Sequence, residues 1–396
     1  MSLLLQCLIT FFVLPGVLEV AGNPIIHNIH EKALRHQLNF SRSVGHSVAE
    51  CGPDAAVPGV TCPGNACCST GKVIAGYWQG WNMGKPCATM KPEEIPVELL
   101  THLIFSFGFI APITYRVLPM PDTEEALFKQ VTDVKKKNPN LKVLVALGGW
   151  THTDPGPYRE VFTTMVSSPA NRQTFITNLL SFLNQYGFDG VDIDWEYPGA
   201  EERGGRPTDK ENFTKLLQEM RQVFHSKYVM TFAAPLASYY LRNYDLKGAS
   251  EAVDRINVMA YDIHGTWETD KKAAGHTNLT DVSKGVDNYL QAGVAPNKLV
   301  LGIAFYGRSV QLASGRCTQP GCPYIGPGAE GRCVKTAGYL SYSEIKDIIS
   351  GGAKPVFDQA GSVQHLTWGG DNWVSPLISR LTTPVERDYE GSWPGR

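Results

Sequence analysis

Phe188-Asp189-Gly190-Val191-Asp192-Ile193-Asp194-Trp195-Glu196-Tyr197-Pro198 is the stretch whose reading decides the fold of this chain. From Val191 to Glu196 apolar and acidic residues alternate with the period of a β-strand. Asp192, Asp194 and Glu196 therefore share one face, and Val191, Ile193 and Trp195 share the other. Carboxylates repeated along one strand face lie about 6–7 Å apart and repel one another. Each also resists transfer out of water, so such a row does not serve stability. It makes sense inside a barrel, with the carboxylates aimed at a substrate and the apolar face covered by a second layer. Pro198 stops the strand two residues after Glu196, which places that carboxylate at the C-terminal rim, where barrels keep their chemistry. A solvated edge strand has no use for Val, Ile and Trp on its second face. A calcium loop needs polar spacers and a turn glycine that are missing here.

The surrounding chain repeats a strand–helix rhythm. Strands are expected at Val73–Trp78, Leu103–Phe107, Val143–Leu147, Gly190–Glu196, Met230–Ala234, Ile256–Tyr261 and Leu299–Phe305. Helical stretches lie between them at Glu124–Lys136, Asn171–Gln185, Lys210–Phe224 and Val282–Ala292. Short buried strands alternating with helices indicate parallel βαβ units, and seven in a row indicate an α/β chain folded as a (β/α)8 TIM barrel. At 396 residues and 43% hydrophobic content, the chain accommodates one barrel of about 250 residues plus additions. A formal net charge of −2 gives no electrostatic reason to expect nucleic acid or an anionic membrane as partner.

The N-terminal region carries processing signals. Residues 3–20 are apolar with no charge before Glu19, and Val20-Ala21-Gly22 offers a small-residue exit, so 1–22 reads as a secretory signal peptide. A membrane anchor is the alternative, although Gln6, Pro15 and Glu19 make a poor span. Of nine cysteines, Cys7 would leave with that segment, and the remaining even number suits disulfides in an oxidising compartment. Asn39-Phe40-Ser41, Asn212-Phe213-Thr214 and Asn278-Leu279-Thr280 are glycosylation sequons consistent with export. Residues 23–50 read as a propeptide or linker. The expectation is a secreted, extracellular protein with no membrane contact after signal removal.

Asp189-x-x-Asp192-x-Asp194-x-Glu196 resembles the D-G-x-D-x-D-x-E signature of glycoside hydrolase family 18, the chitinases. The resemblance covers roughly residues 51–375. It implies a chitinase that cuts β-1,4-linked N-acetylglucosamine polymers with retention, using the substrate's own N-acetyl oxygen as nucleophile and no metal or organic cofactor. Carried over by position, Glu196 is the general acid and then the base, Asp194 holds the N-acetyl N–H, and Asp192 shares a proton with Asp194 from beneath. Asp189 supports the loop. Met259-Ala260-Tyr261-Asp262 resembles the family's M-x-Y-D segment; Tyr261 is then a donor to the N-acetyl carbonyl, with Asp262 supporting and Met259 lining the site. Tyr77, Trp81 and Trp150, at the ends of the first and third strands, are candidates to stack on sugar faces. Leu147-Gly148-Gly149 fits the family's S-x-G-G segment except that Ala146 stands where Ser is usual.

Cys51, Cys62, Cys67 and Cys68 resemble the first half of a hevein-type chitin-binding module, truncated within 51–70, and this pairing looks most like fungal chitinases of the killer-toxin-like group. Cys317, Cys322 and Cys333 fall in the small α+β insertion lobe at 309–366 that the family resemblance implies; their odd number leaves one to pair with Cys87 or another distant cysteine. A family barrel ends with a strand bearing a tryptophan, but 376–396 reads as an irregular tail without one, so the last strand is expected to be missing or irregular. Leu366-Thr367-Trp368 is the only late candidate and comes too early. Two other activities fit the motif: a non-catalytic chitin-binding lectin, and an endo-acting glycosidase on N-glycans.

Overall fold

Alternation in the acidic strand is realised as read: Val191, Ile193 and Trp195 are buried under the helices. Trp195 is stacked on Phe162 at 5.2 Å, and Phe213 meets it edge-on at 5.7 Å. The computed structural model describes residues 8–13 and 73–375, apart from positions 86 and 88. The predicted propeptide, the hevein-like cysteine run and the tail 376–396 lie outside the described residues.

Nine strands form the main sheet. In chain order they are β1 (Leu8–Val13), β2 (Ile74–Gln79), β3 (His102–Ile110), β4 (Val117–Pro119), β5 (Lys142–Gly148), β6 (Gly190–Asp194), β7 (Val229–Pro235), β8 (Arg255–Met259) and β9 (Leu299–Ile303). From β2 through β3, β5, β6, β7 and β8 to β9 every neighbouring pair is parallel. β4 folds back on the end of β3 as a hairpin.

The seam between β2 and β9 shows how the barrel closes without the expected last strand. Among the described residues no parallel strand after β9 enters the ring. β1 takes that position, antiparallel to both β2 and β9. Two facing sheet edges left unpaired would expose rows of backbone donors and acceptors, and one strand between them satisfies both. The last strand is therefore irregular in direction and comes from the N-terminal segment that sequence assigned to a signal peptide.

Two layers of side chains hold the barrel. Val73, Ala75, Tyr77, Ile104, Leu144, Ala146 and Val300 fill the interior. A larger apolar layer lies between the strands and the helices α1 (Ala126–Asp133), α2 (Val161–Val166), α3 (Pro169–Tyr186), α4 (Asp209–Phe224), α5 (Ser238–Leu241), α6 (Leu246–Ala252) and α7 (Leu279–Gln291). Three expected strands end earlier than read: β6 at Asp194, β8 at Met259 and β9 at Ile303. Glu196, Tyr261 and Phe305 thus sit in the loops beyond the strands, because the chain turns outward at the rim.

The lobe is wider than the predicted 309–366. It begins at β10 (Tyr306–Leu312) and continues through β11 (Tyr324–Pro327), β12 (Tyr339–Ser341), helix α8 (Tyr342–Ser350), β13 (Val356–Asp358) and β14 (Val363–Trp368) to β15 (Asn372–Ser375). Its bounds are set by pairing, since β15 lies antiparallel on β10 with Arg308 opposite Ser375. Trp368 belongs to β14 and packs against the lobe's own core of Leu340, Ile345, Leu366 and Val374. Ser341 and Glu344 cap α8 reciprocally. Cys333 pairs with Cys87 and ties the lobe to the loop after β2, while Cys317 pairs with Cys322.

Candidate active site

At the C-terminal end of β6 the acidic face opens into a cleft of ≈ 990 Å³. Gly148 and Gly149 end the neighbouring strand β5 in conformations with φ +119° and +80°. A Cβ on Gly148 would lie 2.1 Å from the Asp194 carbonyl oxygen, so only glycine lets the two strand ends approach, and the Gly149 amide donates to that oxygen at 2.8 Å.

Asp192 is fully buried beneath the cleft floor and its oxygens are occupied. Tyr77 donates its hydroxyl to Oδ2 at 2.6 Å, while Thr231 Oγ1 and Asn257 Nδ2 donate to Oδ1 at 2.6 and 3.0 Å. Asn257 also reaches the Tyr77 hydroxyl at 2.8 Å. Burial raises the Asp192 carboxyl, and the donors from Thr231, Tyr77 and Asn257 pull it back. Asp194, next along the strand, is held well above the usual carboxylate range by burial and by repulsion from Glu196 and Asp192. Its Oδ1 is buried with no hydrogen-bond partner among the described residues. Two carboxylates this close titrate as a pair; the donors make Asp192 the seat of the charge and Asp194 the seat of the proton.

Glu196 stands above them at the rim. Burial pushes its carboxyl up to about 7, with Tyr197 and Arg203 pulling down and Asp262 and Asp154 pushing up. The backbone there is held by Thr153, whose hydroxyl donates to the Glu196 carbonyl at 2.6 Å. Farther along the same loop, one oxygen of Asp209, the first residue of α4, accepts from Gly199 N, Arg206 N and Thr163 Oγ1.

The remaining predicted residues divide. Tyr261, Met259, Trp81 and Trp150 line the cleft with Asp194, Glu196 and Asp262. Trp81 is stacked on Phe107 at 5.5 Å, and Trp150 is 50% exposed with the Arg203 guanidinium 3.8 Å from its ring. Asp262 is a supporting residue with a partner of its own: burial alone would raise its carboxyl, but Arg308 and His276 hold it well below the usual range. Arg308 donates to Asp262 from Nε at 2.8 Å and from its terminal nitrogen at 2.5 Å, and the Tyr306 hydroxyl adds 2.7 Å. Two positions have partners of their own. Tyr77 lines the floor, and its hydroxyl donates to Asp192 and braces the acid. Asp189 lies at the opposite end of β6, where Lys135 Nζ and Val143 N both donate to it at 2.9 Å; it fixes the barrel bottom.

Sequence reading missed Thr231, Asn257, Trp267, Tyr240 and Arg308. Thr231 and Asn257 left a usable signal, since each is a polar residue inside an otherwise apolar strand and a buried polar residue needs a partner. Trp267 comes from the loop after β8 and Arg308 from β10, and only the fold brings the guanidinium to 5.3 Å from the indole.

The model for glycosyl hydrolases family 18 matches residues 73–375, the span that holds the lobe and every barrel strand except β1. Chitotriosidase-1 of Mus musculus is 36% identical over 299 residues, covering 70% of this chain and 62% of the mouse protein. An endochitinase of Manduca sexta is 32% identical over 329 residues, covering 76% of this chain and 58% of its own length. The chain thus spans less than two thirds of these relatives. Among solved structures, the group IV chitinase of Ostrinia furnacalis superposes with a TM-score of 0.70 at 31% identity, covering 80% of this chain and 89% of that one. A family 18 chitinase of Cycas revoluta in complex with (GlcNAc)3 gives a TM-score of 0.67 at 28% identity, covering 80% and 91%. With an acid row, a glycine-bounded floor and every barrel strand from β2 to β9 inside that match, the chain belongs to glycosyl hydrolases family 18.

Proposed function

We propose that this chain is a chitinase that hydrolyses β-1,4-N-acetylglucosamine linkages with retention, assisted by the substrate's N-acetyl group. The observation that carries the reading is the pair formed by a Glu196 raised to about 7 and a buried, unpartnered Asp194 oxygen in one cleft. Protonated Glu196 donates to the glycosidic oxygen as the C1–O bond breaks. The N-acetyl oxygen closes on C1 to give an oxazolinium ion. Asp194 accepts the amide N–H through its unpartnered oxygen, which is why those lone pairs must be free until substrate arrives, and the negative charge beneath it offsets the positive ring. Asp192, held by three donors, keeps the negative charge beneath. Tyr261 donates to the N-acetyl carbonyl. Glu196, now a carboxylate, takes a proton from the water that opens the ring, which restores the acid. Trp81, Trp150 and Trp267 offer faces for sugar stacking.

A lectin-like role is favoured by one observation: among the described residues the cleft's tryptophans are Trp81, Trp150 and Trp267, and no late barrel strand supplies another beneath the site. Hydrolysis of a fluorogenic chito-oligosaccharide by the purified chain, beside Glu196→Gln, separates the readings. Release by the parent alone supports the enzyme. Binding by both without release makes the chain a lectin. Glycan release from a glycoprotein with no attack on chitin would move the substrate to N-glycans.

The chain is also proposed to be secreted. The two disulfides among the described residues and the apolar stretch 3–18 support this, as does the sequon Asn278 at the start of α7. Against it stands the pairing of Leu8–Val13 in the sheet. The N-terminal sequence of protein recovered from culture medium decides whether 1–22 is removed. Placement in the fungal killer-toxin-like group rests on the cysteines at 51–68 alone.

A further inference from the structure

The loop between β8 and α7 carries Trp267, which is 53% exposed at the cleft wall. Its indole lies flat over Gly265, where a Cβ would stand 2.2 Å from the ring, and Arg308 bounds it at 5.3 Å. With more than half of the residue open to solvent, the ring's position depends on the backbone beneath it. That backbone is tied to α7 through one side chain. His264 contacts Glu268 Oε1 through Nδ1 at 2.9 Å and Asp281 Oδ2 through Nε2 at 3.2 Å. Glu268 closes the turn by accepting from Gly265 N at 3.0 Å, and Asp281 stands in the first turn of α7.

A neutral imidazole has one donor and one acceptor, so a ring facing a carboxylate at each nitrogen satisfies both only as the imidazolium. The groups around it fit that charge: Glu268 from the loop, Asp281 from α7 with Lys284 on its other oxygen at 2.9 Å, and from the lobe the neutral Tyr324 hydroxyl, which donates to Gly265 O at 3.1 Å. Burial works against the charged ring, but Glu268 and Asp281 outweigh it and raise the histidine above its ordinary value.

We propose that His264 is a positioning residue: as an imidazolium it clamps the Trp267 loop to α7 and fixes the indole as a platform for a sugar ring away from the cleavage point. The proposal rests on the substrate reading above. It also gives the cleft a dependence on pH that is separate from Glu196, because deprotonation frees one end of the clamp. Loss of the clamp acts on binding of longer oligosaccharides and leaves the bond-breaking step alone.

The test measures binding of a chitohexaose by tryptophan fluorescence to Glu196→Gln and to Glu196→Gln with His264→Gln, from about pH 5 to about pH 9. In the first protein affinity should weaken toward the alkaline end. In the second it should be weaker at the acid end by roughly 3- to 10-fold, the worth of one aromatic contact, and flat with pH. With Glu196 intact, His264→Gln should raise KM for the hexamer and leave kcat within about twofold. Glu268→Gln, which cuts only the loop arm, should reproduce the KM change if the histidine variant fails to fold. Equal affinities, parallel pH profiles, or a fall in kcat with KM unchanged would each overturn the proposal. If the parent neither binds nor cleaves the hexamer, the substrate reading falls, and this inference with it; a parent that cleaves alongside an indifferent variant removes the clamp alone.

Discussion

Replacing the acid at the centre of the cleft should make the protein more stable, and increasingly so as pH rises. Burial lifts the Glu196 carboxyl from 4.5 to about 7, so the native state retains a proton that the unfolded chain has already released. Below the unfolded value both states are protonated and the group carries no penalty. As pH rises the penalty grows, and it is complete above the folded value. Each pH unit between the two values is worth about 1.4 kcal/mol, so the cost is about 1 kcal/mol at pH 5 and about 3 kcal/mol at pH 8. Glutamine keeps the shape without the charge and escapes the cost. It also removes one of the two charges that repel Asp194. Urea unfolding followed by fluorescence, for the parent and Glu196→Gln at the two pH values, measures the difference. The variant should lead by about 1 kcal/mol at the lower pH and by about 3 kcal/mol at the higher. A gap that does not change with pH, or a variant less stable than the parent at pH 8, would refute the burial argument.

Further outcomes follow from the same geometry. The kcat/KM profile should fall by about tenfold per pH unit above about 7, because the acid must hold its proton to act; an alkaline limb two units higher would take Glu196 out of that role. Tyr77→Phe removes one of the donors to Asp192, and hydrolysis should slow by roughly 5- to 150-fold, the equivalent of about 1–3 kcal/mol for a buried acceptor left short. Substituting serine for both Cys87 and Cys333 should lower stability by about 5 kcal/mol, and the same change at Cys317 and Cys322 by about 2 kcal/mol, since the first bond closes a far longer loop. Denaturation midpoints under oxidising conditions check the order.

The acid row was legible because it breaks a rule of stability. Alternation placed Asp192, Asp194 and Glu196 on one face, and the buried Val191, Ile193 and Trp195 on the other confirm it. The strand rhythm likewise located seven barrel strands, since their apolar runs are short and bounded. Long-range partnerships were not legible. Tyr77 looked like a sugar platform because its strand position is right, but its hydroxyl is directed by Asp192 and Asn257, residues far away in the chain. Asp189 shares the motif yet faces the barrel bottom, because motif spacing does not state which end of the strand each residue marks. Arg308 sat at the edge of the lobe with no pattern around it, and its meaning depends on Asp262. The odd cysteine of the lobe could be counted, whereas its partner needed the fold.

The seam at β1 sets the order in which this barrel can assemble. Val13 pairs with Val300, so the ring joins one end of the described chain to the last barrel strand. Emerging from a ribosome, the N-terminal strand has no second neighbour until nearly the whole barrel has been made. Adjacent βαβ units can pair early, because their contacts are local, but the closing strand must wait for the least local contact in the sheet. During that wait β1, paired on one side with β2, offers one open edge, the surface on which a nascent chain pairs wrongly with a neighbour. The feature that completes the cylinder is thus also the point at which its synthesis is most exposed to mispairing.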